Sequence, residues 1–118
     1  MTAEAKNLET PEETREFPNG QMDIVKLSGV TIGRAEFRPG WRWSNDVKPI
    51  AGTDSCQTAH TGYVLSGRMH VVMDGGSELD VGPGDAVVIP PGHDAWIVGD
   101  ETCVMLDWSG SATYAAPT

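Results

Sequence analysis

Three residue types that can ligate a metal or move a proton crowd into the stretch Asp54-Ser55-Cys56-Gln57-Thr58-Ala59-His60. Strand side chains alternate with period two, so in an extended chain Asp54, Cys56 and His60 share one face. A carboxylate, a thiol and an imidazole would then converge on one point. Gln57 faces the other way and joins them only through a bulge. A plainer arrangement uses the same residues, with a buried cysteine beside a turn histidine that satisfies its own hydrogen bonds. His93 follows Pro90-Pro91-Gly92, a stretch that must be stiff. His70 reads as a half-buried strand residue with no evident partner, and Cys103 as inert core.

The elements that must position these groups are strands. Residues 23–27, 30–39, 63–65, 69–74, 77–81, 86–89, 95–98 and 102–108 are β-prone, and Gly, Pro, Asn or Asp turn signals separate them. Asp74-Gly75-Gly76 marks a hairpin. No segment reads as a helix, and residues 44–52 read as an irregular loop anchored by Val47 and Ile50. About eight short strands at regular spacing predict an all-β sandwich or barrel. Trp41 and Trp43 share a face in extended chain while Arg42 points away. The two tryptophans could cover the core, or wall a ligand pocket together with Tyr63 and Trp96, with Arg42 or Arg68 offering a charge.

The chain has 118 residues, enough for one core. Residues 1–16, with five Glu against Lys6 and Arg15, read as a flexible acidic arm, 17–108 as the barrel and 109–118 as a frayed tail. Seventeen acidic and eight basic residues give a net charge of −9. There is no basic stripe for phosphates, so nucleic acid and anionic membranes are poor partners and a small molecule is a better one. No apolar run is long enough for a membrane span, and no export signal is evident. Two cysteines in such a chain point to reduced thiols and a cytoplasmic location.

Two separated frames of glycine and proline resemble those of the cupins, a jelly-roll family. Gly84, Pro90 and Gly92 fall on the family's second motif, and Gly67 on the last glycine of its first. The resemblance extends from about Glu36 to Trp108. It is sharpest for small bacterial cupins, mostly without assigned activity, that carry the signatures at Pro39–Ser44, Gly52–Cys56, Gly62–Arg68 and Pro90–Trp96. It implies a cupin-type barrel with a divalent metal inside. The family's metal ligands, three histidines and a glutamate, are not copied here. Asp54 and Cys56 stand at the two first-motif histidine positions, His60 at the glutamate, and Ala95 at the last histidine. Gly99 replaces the second motif's asparagine, and Lys48 stands at the first motif's opening glycine.

His93 lies two residues before Ala95, and a shift of two keeps a strand side chain on the same face. Cys56, His60 and His93 would then form a displaced version of the family site, with Asp54 or Gln57 as possible additions. A thiolate with two imidazoles suits zinc, with a fourth position open. With Asp54 in place of Cys56 the set suits iron, the second expectation. The resulting expectation is a metal-dependent small-molecule enzyme. The alternative is a non-catalytic ligand-binding or zinc-sensing module, of the kind found in regulatory proteins. A homodimer, paired through the apolar outer strand at 102–108, is consistent with the family.

Overall fold

The computed structural model describes residues 2–112, 114 and 115. Nine strands follow in order: β1 (Glu13–Phe17), β2 (Gly20–Leu27), β3 (Val30–Phe37), β4 (His60–Ser66), β5 (Arg68–Met73), β6 (Glu78–Val81), β7 (Ala86–Ile89), β8 (His93–Val98) and β9 (Cys103–Asp107). They pair antiparallel in a six-stranded sheet of order β1-β2-β3-β9-β4-β7 and a three-stranded sheet of order β6-β5-β8. The period-two pattern is plain in β8 and β9. His93, Ala95 and Ile97 are buried on one strand, and Cys103, Met105 and Asp107 on the other. Both sheets contribute to one apolar core, which includes Met22, Val64 and Met105 from the larger and Met69, Val71 and Ala95 from the smaller. This is the all-β jelly roll expected.

The chain passes between the sheets four times, from β4 to β5, β6 to β7, β7 to β8 and β8 to β9, and glycine corners make the first and third of these crossings. After β4 it turns at Gly67, whose φ of 74° is left-handed and whose absent Cβ would lie 2.4 Å from Cys103 Cα. After β7 it turns through Pro90-Pro91-Gly92 into β8. Within β4, a Cβ on Gly62 would meet the Leu106 carbonyl at 2.0 Å, so only glycine lets β4 and β9 approach this closely there.

Several expectations are corrected. The stretch read as a loop holds two single-turn helices, α1 (Trp43–Asp46) and α2 (Lys48–Ala51). Pro49 sits in the first turn of α2, where no amide is needed, and left-handed Gly52 ends it. Val47 is buried and Ile50 packs against the core. Strand β9 lies inside the larger sheet between β3 and β4, so 102–108 is no outer edge. The expected arm boundary at residue 16 falls within β1, which pairs with β2 along its whole length. Residues further out also make contacts, because their acids meet basic or amide groups. Glu9 pairs with Arg34 at 2.5 Å, and Glu12 accepts from the Lys26 amide. In the expected tail, Ser111 and Tyr114 are buried. Met1, Thr113 and residues 116–118 lie outside the described residues.

Candidate metal centre

Cys56, His60 and His93 come together although only two of them lie in strands. Cys56 is pinned to the start of β8 by an isolated bridge. Its amide donates to the His93 carbonyl at 2.7 Å, and its carbonyl accepts from the Gly92 amide at 2.7 Å. His60 opens β4 and pairs with Ile89, the residue before the proline corner that delivers His93. One potential ligand atom from each of the three side chains lies within 4.8 Å of the others. The Cys56 Sγ to His60 Nε2 distance is 3.8 Å. Tetrahedral zinc, with bonds of about 2.3 Å to sulfur and about 2.05 Å to nitrogen, sets ligand atoms roughly 3.3–3.6 Å apart. Side-chain movement on the order of an ångström closes the cluster onto such an ion, and the donor set fits a metal.

Both imidazoles are oriented from behind. His93 Nδ1 donates to the Pro90 carbonyl at 2.8 Å, which leaves Nε2 with its lone pair. His60 Nδ1 donates to Asp107 Oδ2 at 2.5 Å, and Nε2 faces Cys56. Asp107 is fixed in turn, with Oδ1 accepting from the amides of Ser109 and Gly110. A carboxylate or carbonyl behind each ligand histidine is the usual outer arrangement of metal sites.

The electrostatics follow from these contacts in the metal-free chain. Burial pushes the Cys56 thiol up, but hydrogen bonds and charge from His60 and His93 outweigh it and bring it down to about 6. Burial opposes a charge on His60, yet Asp107 and Cys56 raise it to about 9. Asp107 is held below the ordinary carboxyl range, because His60 and the two amides overcome its burial. At neutral pH a thiolate therefore faces an imidazolium.

Asp54 and Gln57 do not join the cluster. The chain bends at Thr53–Ser55 instead of running as a strand, so the alternation that would align Asp54 with Cys56 is lost. Asp54 is exposed, 3.9 Å from the Lys48 ammonium. Gln57 is also exposed and donates to Ser55 Oγ at 3.0 Å.

His60 and His93 open into a mostly apolar cavity of about 40 Å³. Trp41 and Trp43 line it, and Arg42 between them points outward, as the alternation requires. The other expected pocket residues lie outside. Arg42 stacks 4.2 Å over Trp96 on the outer face of the smaller sheet. Tyr63 stands opposite buried Val64 and is exposed, and Arg68 is exposed beside Gly82. His70 has partners after all, Asp80 at 2.5 Å and Glu78 at 2.7 Å. Asp94 braces α1 by accepting from the Ser44 amide at 3.1 Å.

Two polar residues of the cavity wall escaped the sequence reading, Asp107 and Tyr114. For Asp107 a signal existed, since it sits at a period-two inward position after Cys103 and Met105. Tyr114 had none. It is held by Arg15 of β1, whose guanidinium donates to the carbonyls of Ser111 (2.9 Å), Ala112 (3.0 Å) and Tyr114 (2.7 Å). Its ring meets that of His60 edge-on at 5.3 Å.

This jelly roll has known counterparts. Residues 54–109, just under half of the chain, match the family model for the cupin domain. A crystal structure of unknown function from Rhizobium leguminosarum superposes with a TM-score of 0.60 at 20% identity, covering 100% of both chains. KdgF from Halomonas sp. gives 0.55 at 24% identity, covering 79% of this chain and 80% of its own. A cupin-like protein from Thermotoga maritima gives 0.55 at 18% identity, covering 86% and 75%. At these identities the likeness is one of fold. No curated protein matches the sequence.

Proposed function

We propose that this cupin holds a divalent metal, zinc in preference to iron, on Cys56, His60 and His93, and acts on a small molecule that reaches it through the cavity. The observation that carries the reading is the paired anchoring of the two histidines. Asp107 and the Pro90 carbonyl engage the Nδ1 atoms and leave both Nε2 atoms for the side of Cys56. A soft thiolate beside two imidazoles favours zinc. A metal bound here supplies a Lewis acid and a water of lowered pKa. The chain's own part is to hold the ligands rigidly and to exclude bulk water with an apolar wall of tryptophan, methionine and phenylalanine. Asp107 keeps His60 in one tautomer.

Among the described residues only three donors converge, and Asp107 is occupied by His60. That supports an open coordination position, and hence turnover, over the rival reading of a sensor or purely structural site. A cytoplasmic location completes the proposal, as does a homodimer. The exposed apolar side chains of Tyr63, Leu65, Val88 and Trp108 support pairing of two copies.

Elemental analysis of protein purified without added metal tests the reading. The expected result is about one zinc or iron per chain, lost in Cys56→Ala, His60→Ala and His93→Ala alike. Parent protein that takes up no metal even after supplementation would overturn it. A metal content indifferent to all three substitutions would do the same.

A further inference from the structure

The cavity wall contains polar atoms with nothing to bond to. Nε1 of Trp41, Nε1 of Trp43 and the Tyr114 hydroxyl are buried without a partner among the described residues. Their side chains are 2%, 1% and 4% exposed, and all three line the cavity that His60 and His93 open into. Native interiors leave few such atoms, roughly a few per 100 residues. The fourth, Arg34 Nε, belongs to a guanidinium already paired with Glu9 and Asp23. The other three belong to residues that line one cavity.

We propose that the cavity receives the carboxylate group of a small organic acid, bound by hydrogen bonds from the Trp41 and Trp43 indoles and the Tyr114 hydroxyl. This rests on the metal-site reading for the opposite charge, because among the described residues no Lys or Arg lines the cavity. The chemistry of the donors selects the group. An indole N–H only donates and the tyrosine hydroxyl can donate, while an ionised carboxylate only accepts, at about four lone-pair sites. An amide or alcohol would bring donors of its own, and the nearest strong acceptor, Asp107, is already taken by His60 and two amides.

Size sets a second limit. The cavity, at about 40 Å³, exceeds the roughly 10–15 Å³ that one water needs but falls far short of the ~150 Å³ that admits benzene. A group of a few heavy atoms fits inside, and the rest of a larger acid would lie at the mouth. Away from bulk water, each of these bonds is stronger than in solution.

Calorimetric titration of the zinc-loaded full chain with acetate and propionate tests this. Acetamide serves as the uncharged isostere, Tyr114→Phe removes one hydroxyl without opening a hole, and metal content is measured on the same samples. The expected result is that both acids bind and acetamide does not, with affinity at least tenfold weaker in Tyr114→Phe at unchanged zinc content. Acids that bind the parent and Tyr114→Phe equally would overturn the proposal, since the metal alone would then be their receptor. So would acetamide binding as tightly as acetate, or no acid binding to fully loaded protein. If the parent takes up no metal, the metal reading fails separately and the titration is made on metal-free protein. There, binding weakened by Tyr114→Phe supports the donor pocket, and absence of binding overturns it.

Discussion

At the scale of single residues, the chemistry is concentrated in a pair of ionisations displaced in opposite directions. The Cys56 thiol, at about 6 folded against 9.0 ordinarily, contributes stability that is fully present above pH 9 and lost as pH falls through 6. His60, at about 9 against 6.5, contributes stability that is fully present below pH 6.5 and lost as pH rises through 9. Between roughly pH 6.5 and 9 the folded and unfolded pairs bind the same number of protons, so the two trends cancel. This pair is therefore expected to add no pH dependence to the stability of the metal-free protein across that window, while its thiolate absorbance in the ultraviolet appears near pH 6. Cys103, which burial pushes up to about 11, stays silent there. In His60→Ala the thiolate transition should move up toward the ordinary value. A parent transition near pH 9 would refute the pairing. Sequence reasoning reached the three ligand candidates through strand alternation and a family frame, both of which are local. Alternation after Cys103 and Met105 marks Asp107 as inward-facing, but not as the partner of His60, 47 residues away, because that contact exists only once β4 and β9 pair.

At the scale of elements, the glycine corners decide whether the site can assemble. Gly29 and Gly67 both have left-handed φ, at 83° and 74°. A Cβ on Gly29 meets nothing within 4 Å, whereas one on Gly67 meets the Cys103 backbone at 2.4 Å. Gly29→Ala is therefore expected to cost only backbone strain, about 1–3 kcal/mol. Gly67→Ala should cost that plus the displacement of β9, and urea unfolding of the two variants compares them. Equal midpoints would mean that the crossing from β4 to β5 is looser than described. Strand centres and corners were legible because Gly, Pro and β-branched residues mark them. The start of β4 was not. Gly62 is a weak strand former and His60 no strong one, and pairing with β7 on one side and β9 on the other holds this stretch extended. The single-turn helices were equally hidden, since four residues carry too little periodicity and their support comes from Val47 and Asp94.

For the molecule as a whole, metal and fold are thermodynamically linked, because the unfolded chain has no preformed cluster. Zinc at a hundredfold excess over its Kd should add about 2.7 kcal/mol to the unfolding free energy. For a domain of this size that is a rise in thermal midpoint on the order of 10 °C. Differential scanning calorimetry with and without chelator reads the effect, and His93→Ala should abolish it. An identical midpoint in the presence of chelator would argue against the site. The all-β class, the barrel and its corners could be read from the sequence at this scale. The parts contributed by its two outer segments could not, since their burial depends on long-range pairing.

The Arg15 guanidinium, which grips three carbonyls of the segment bearing Tyr114, has a practical consequence. Progressive shortening of the protein from its first residues would look like trimming but would act as mutagenesis of the cavity. Once residue 15 is gone, the tyrosine that closes the cavity beside His60 has lost its tether.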